Sequence, residues 1–189
     1  MFRKAIRIAR DAHAGQFRKY TNEPYIVHPF AVAGLVSSVS DDIEMYIAAI
    51  LHDVVEDTDV SIGRIKSLFG NRVMRMVSDL TDISILSQGN RKVRKEIDLN
   101  HTANASPEAK TIKLADLIDN TKSITSYDKN FAVVYMKEKK KLMEVLKEGD
   151  KNLYKLAKSM IQKYDESKLD EWFDKKEIKT KVIFENKRR

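Results

Sequence analysis

The residues able to do chemistry gather in a few places along the chain. In the run Leu51-His52-Asp53-Val54-Val55-Glu56-Asp57-Thr58, one imidazole and three carboxylates stand at the end of an apolar stretch. On a helix, Asp53, Glu56 and Asp57 fall at i, i+3 and i+4 and share a face. His52 and Glu56 are also four apart. Crowded and partly buried, such groups repel one another and shift their pKa values, and a divalent cation relieves that cost. The plain alternative is an exposed acidic helix end, although carboxylates there oppose the helix dipole. Asp116 lies mid-helix among apolar residues, in Lys113-Leu114-Ala115-Asp116-Leu117-Ile118-Asp119-Asn120. A carboxylate there is costly unless it is paired or bound to metal. His28 precedes Pro29 at the mouth of a helix. Each has its own plain alternative: Asp116 on a solvent face, His28 as a helix cap. The chain has no cysteine, so any metal must be held by His and carboxylates.

The elements that must position these groups read as helices. Ile6, Ala9 and His13 share one face of an opening helix over roughly residues 1–14, ended by Gly15. Gln16 to Val27 reads as a loop, and Pro29 opens a helix from Phe30 to Val39. Asp41 or Asp42 caps a third helix with a wide apolar stripe, Ile43, Ile47, Ile50, Leu51 and Val54. Ser61 caps a short helix ending at Phe69-Gly70, and Val73, Met76, Val77 and Leu80 carry the next. A basic helix is expected over Arg91–Asn100. Ser106-Pro107-Glu108 starts another that is largely buried. Residues 130–148 and 151–164 read as two long amphipathic helices parted by Gly149-Asp150. Val182-Ile183-Phe184 reads as a short strand or an unstructured end. The expected fold is all-α, a single compact bundle of eight to ten helices.

Composition narrows the function classes. The 189 residues carry 35 Lys+Arg against 28 Asp+Glu. No run of about 18 apolar residues exists, so no membrane span is expected. The first fifteen residues lack the apolar stretch of a secretory signal. These features suit a cytoplasmic protein. The basic balance invites a nucleic-acid reading, but the run Lys137-Glu138-Lys139-Lys140-Lys141 has an acid interspersed and reads as a solvated face. Residues 1–120 hold sixteen residues of each sign, whereas residues 121–189 hold 19 basic and 12 acidic. The whole excess therefore lies beyond the candidate metal residues.

The order His28, His52-Asp53, Asp116 resembles that of the HD superfamily of metal-dependent phosphohydrolases. The flanking text is more specific. Ala12-His13-Ala14-Gly15-Gln16-Phe17-Arg18-Lys19 and Glu23-Pro24-Tyr25-Ile26-Val27-His28-Pro29 are similar to the opening of the RelA/SpoT hydrolase domain. His52 through Thr58 is similar to its second block, and Lys113-Leu114-Ala115-Asp116 with Asn120 to its third. The resemblance places an HD hydrolase core at residues 1–146 and a C-terminal helical extension with a basic tail at 147–189. The size is similar to that of stand-alone small alarmone hydrolases, the group that includes the metazoan SpoT homologue.

The resemblance implies roles. His28, His52, Asp53 and Asp116 would hold one divalent ion, manganese by the family's habit, and Glu56 with Asp57 would handle water and protons. Arg18 would stack on the base and Lys19 would make polar contact with the nucleotide. Asn120, Ser123 and Tyr135 would complete the substrate contacts. The implied reaction is manganese-dependent hydrolysis of guanosine 3′,5′-bis(diphosphate), or of its adenine analogue, with release of pyrophosphate. The implied partner is a polyanionic nucleotide. His13 reads as a core or supporting histidine, His101 as a surface residue, and Glu108 and Lys110 as helix-start decoration. Departures lie at Leu117-Ile118-Asp119 and in the Gly-free loop Lys19–Glu23, where Asn22 can adopt the left-handed conformation. They bear on the substrate and leave an HD phosphohydrolase for another nucleotide or phosphoester as an alternative; the basic helices leave a second, a non-catalytic nucleic-acid- or protein-binding module.

Overall fold

The computed structural model describes the backbone of residues 1–186 and the side chains of residues 1–168. Nine α-helices run through the described residues. They are α1 Phe2–Ala12, α2 Val27–Ser37, α3 Ile43–Leu51, α4 Val54–Asp57, α5 Ile62–Leu80, α6 Arg91–Ala103, α7 Pro107–Tyr127, α8 Lys129–Val145 and α9 Lys151–Asn186. No strand is present among the described residues; one isolated bridge, Phe17 to Pro24, closes the loop after α1. The architecture is all-α, as the apolar spacing predicts.

Side-chain caps set the starts of these helices. Asp42 accepts from the Glu44 amide, Ser61 from Arg64, Asn90 from Val93 and Asp128 from Phe131. Ser106 caps α7, with Pro107 in the first turn. α7 is the central helix and packs against α2, α3, α5, α8 and α9. Its Ile112, Leu114 and Ile118 are fully buried, each stabilising by about 1.5–3 kcal/mol. Asp116 rides on this apolar helix and is thereby brought to the bundle centre.

Three local breaks matter to the site. The run from Leu51 to Thr58 is not one helix: α3 ends at Leu51, and His52 and Asp53 form a turn before α4. The single helical face expected for Asp53, Glu56 and Asp57 is corrected accordingly. In the loop after α1, Asn22 sits at φ 55°, the left-handed conformation its side chain tolerates. The Arg18 amide donates to Glu23 O and the Tyr25 amide to Gln16 O, so this turn sets where Tyr25 and His28 stand. At Gly70 (φ 89°) α5 bends, which parts the two helical segments read from the sequence.

Several local expectations need correction. The backbone at 182–184 is helical, part of α9, so no strand forms there. Lys110 is not surface decoration: it is buried, and its Nζ donates to Ala103 O and to Glu148 Oε2. His101 is half-buried, with Nε2 at 3.0 Å from Ser78 O. The Lys137–Lys141 run is not wholly a solvated face, because Lys139 is only 1% exposed.

Candidate metal centre and active-site cavity

Three elements bring the chemistry together. The first turn of α2 presents His28, the turn after α3 presents His52 and Asp53, and the middle of α7 presents Asp116. One donor atom each from His28, His52 and Asp53 lies within 4.8 Å of the others. Asp53 Oδ2 stands 3.0 Å from His52 Nε2 and 3.5 Å from His28 Nε2, and Asp116 Oδ1 is 3.3 Å from His28 Nε2. Both histidines are almost fully buried.

The outer ring nitrogens are spoken for. His28 Nδ1 donates to Asp119 Oδ2 at 2.7 Å, and His52 Nδ1 donates to Ala49 O at 2.8 Å. Carboxylate and carbonyl oxygens only accept, so both Nε2 atoms can turn lone pairs inward. His52 Nε2 is buried with no hydrogen-bond partner, despite its closeness to Asp53. An orphaned imidazole nitrogen facing carboxylates fits a divalent cation. His28 is not the helix cap that its position allowed, since Ile26 holds that place, and its Nε2 is available to an ion; Asp116 is buried and not on a solvent face.

The charged groups of the centre also shift one another. Burial works to raise the Asp53 and Asp116 carboxyls. Neighbouring His52 for Asp53, and Lys113 with His28 for Asp116, outweigh it and hold both well below the usual carboxylate range. Burial would lower His28, but Asp116 and Asp119 raise it to about 9. Lys113 Nζ lies 3.2 Å from Asp116 Oδ2, and Asn120 Nδ2 donates to Asp116 Oδ1 at 2.6 Å.

A cavity of about 660 Å³ opens from this centre. Asp53, Glu56, Asp57, Asp116, Asn120 and Tyr135 line it, so it gathers six of the predicted residues. Glu56 is pushed upward by burial and by Asp82, and Asp57 by burial and by Asp53. Its lining also includes bases, Arg91 and Lys95 from α6 and Lys139 and Lys141 from α8.

Arg18, Lys19 and Ser123 do not line this cavity. The Arg18 guanidinium is held against α7, 3.1 Å from Asp119 Oδ2, 3.3 Å from Asn120 Oδ1 and 3.3 Å from Ser123 Oγ. Both Nη groups are thus engaged, and the side chain is largely covered. Lys19 is an exposed side chain 3.8 Å from Asp128.

The chain shows a family at this point. The family model described as HD domain matches residues 5–146. The chain belongs to the HD-domain family. Among curated proteins, it is 36% identical over 124 residues to guanosine-3′,5′-bis(diphosphate) 3′-pyrophosphohydrolase MESH1 of Danio rerio, covering 64% of this chain and 67% of that one. It is 36% identical over 121 residues to the Aquifex aeolicus guanosine-3′,5′-bis(diphosphate) 3′-pyrophosphohydrolase, covering 64% of this chain. The match spans only 17% of the Aquifex protein's length. A solved metazoan SpoT orthologue, described as hydrolysing ppGpp, superposes with a TM-score of 0.78 at 29% identity, over 86% of this chain and 94% of that one.

The HD-domain site includes residues that sequence reading missed. Asp119 orients His28, and its only signal was its place one turn after Asp116. Tyr25 donates to Asp53 Oδ2 at 2.7 Å and packs its ring 4.7 Å from His13. His13 is buried, with Nδ1 donating to Gln16 Oε1 at 2.7 Å, in a supporting position. An HD domain implies a divalent metal, and the residues present fit one.

Proposed function

We propose that this chain is a 3′-pyrophosphohydrolase acting on guanosine 3′,5′-bis(diphosphate), with manganese as the divalent ion. The observation that carries the proposal is the meeting of His28, His52, Asp53 and Asp116 at the end of a cavity that also holds Glu56 and Asp57. The likeness to MESH1 and to the metazoan SpoT orthologue supports the substrate. The hydrolase core is assigned to residues 1–146, and the location to the cytoplasm. No helix among the described residues is long and apolar enough to cross a membrane.

Each residue then has a task. His28, His52, Asp53 and Asp116 hold the ion, with Asp119 and the Ala49 carbonyl fixing the two rings. When bound, the ion supplies Lewis acidity to a phosphoryl oxygen and to water. Glu56, whose carboxyl is raised by burial, accepts the proton of the attacking water, and Asp57 orients that water. Water adds to the phosphorus bonded to O3′. The O3′–P bond breaks, a proton passes to O3′, and pyrophosphate and GDP leave. Asn120 and Tyr135 contact the sugar and phosphates from the cavity wall. Arg18 acts on the nucleotide only after release from Asp119. That ion pair favours a second reading, the same chemistry on another nucleotide or phosphoester, because Arg18 is tied to α7.

The test is pyrophosphate release from guanosine and adenosine 3′-diphosphates with added manganese. Wild type should cleave at least one, and Asp53→Ala should cleave neither. Cleavage of other nucleotides with both 3′-diphosphates left intact would refute the substrate assignment.

A further inference from the structure

One charge in the cavity wall stands out. Lys139 on α8 is 1% exposed and is among the largest fully buried side chains of the protein. Its ammonium donates to Thr121 Oγ1 at 2.6 Å. Among the described residues, no carboxylate lies within ion-pair distance of it, and two of its three N–H groups have no acceptor. Its neighbours differ. Arg91 is held by Glu138, Lys95 by Asp82, and Lys113 by Asp116. Lys140 and Lys141, next in sequence, face Asp165 and Glu96 on the exposed side. Even Lys110, the other described lysine buried to this degree, reaches Glu148.

A buried cation with one neutral partner is expensive unless an anion arrives. Burial pushes the Lys139 ammonium down to about 8, so it is still mostly charged at neutral pH. Tyr135, Lys139 and Leu142 fall at i, i+4 and i+7, and all three line the cavity that contains Asp53 and Asp116. Thr121 ties the group together, because its hydroxyl also lies 3.2 Å from Tyr135 Oη. Lys139 thus lines this cavity with no carboxylate partner of its own among the described residues.

We infer that Lys139 anchors one phosphate of the ligand in this cavity, and so sets how that ligand is placed relative to the metal centre. This rests on the phosphohydrolase reading for the identity of the anion. A purely structural lysine would lose stability on truncation; an anchor for an absent anion would not.

The test compares Lys139→Met with wild type and with Lys140→Met, in full-length, manganese-loaded protein. For guanosine 3′,5′-bis(diphosphate), Lys139→Met should raise KM about 10- to 100-fold, the range of a lost charged hydrogen bond. Lys140→Met should leave KM within twofold. The thermal midpoint of Lys139→Met, without ligand, should stay level or rise. An unchanged KM overturns the inference while leaving the phosphohydrolase reading intact. A lowered midpoint, or failure to fold, also overturns it, since Lys139 would then be a strut. If wild type cleaves no 3′-diphosphate, the substrate reading fails separately. Equilibrium binding of inorganic pyrophosphate then decides on Lys139: a tenfold or greater loss in Lys139→Met supports the anchor, and equal binding overturns it.

Discussion

Removing the Asp119 carboxylate tests whether the metal centre depends on the group behind its histidine. Asp119 Oδ2 accepts from His28 Nδ1 at 2.7 Å in a nearly closed site, and the same oxygen lies 3.1 Å from Arg18. A hydrogen bond to a charged acceptor contributes about 1.5–3 kcal/mol. Loss of the group that orients a metal-bound histidine weakens metal affinity by about 10- to 100-fold, or about 1.4–2.7 kcal/mol. The two figures agree, so Asp119→Ala should weaken manganese binding by that factor. Asp119→Asn keeps a neutral acceptor for Nδ1 and should lose less, about fivefold from a difference of about 1 kcal/mol.

The assay is competition for manganese against a fluorescent chelator, with circular dichroism confirming that each variant is folded without metal. Thermal denaturation at fixed manganese gives an independent reading, because stabilisation follows the logarithm of ligand concentration over Kd. Asp119→Ala should lose about 3–10 °C of the metal-induced rise for a chain of this size. The order wild type, Asn, Ala is part of the expectation. If Asp119→Ala binds manganese within twofold of wild type, the carboxylate does not position His28 and the argument is wrong.

Four further outcomes follow from the same structure. Glu56→Gln should lower kcat by about 10²–10⁴ with manganese affinity retained, measured by pyrophosphate release and chelator competition; equal loss of metal binding would move Glu56 into the ligand set. Gly149→Ala should destabilise by about 1–3 kcal/mol in urea melts, because the new Cβ would stand 2.8 Å from Leu114 Cδ1 and 3.1 Å from the α7 backbone. The Lys139 ammonium titrates near 8 when folded and at 10.5 when unfolded. Its cost is present below pH 8 and is relieved between pH 8 and 10.5, where the unfolded chain binds more protons. Lys139→Met should accordingly be about 3 kcal/mol more stable than metal-free wild type at pH 7, with the gap closing by pH 10.5 in paired urea melts. Tyr25→Phe should weaken manganese binding by up to about tenfold through the lost bond to Asp53, as read by chelator competition, and no change would remove Tyr25 from the site.

The candidate metal centre was legible because its residues are rare and costly: four histidines in the whole chain, and a carboxylate on an otherwise apolar helix. Helix identities were legible for the same kind of reason, since Asp42, Ser61 and Ser106 announce the starts they cap. What stayed hidden depends on the angle at which helices meet. Asp119 and Asp116 are both acids on α7, and only the packing of α2 against α7 reveals that one faces Nδ1 and the other Nε2 of the same ring. The break at His52-Asp53 has no glycine or proline to mark it. Arg18 looks free in sequence, but the turn at Asn22 swings it onto α7. Lys139 is the sharpest case, because Lys139, Lys140 and Lys141 are identical residues in one run. Helical rotation of about 100° per residue buries Lys139 against Thr121 and leaves Lys140 and Lys141 exposed, within reach of Asp165 and Glu96. The basic excess beyond residue 120 is therefore not uniform in function. Among the described residues most of it is exposed or paired, and the part that bears on an anionic ligand is Lys139, for which no described carboxylate supplies a counter-charge.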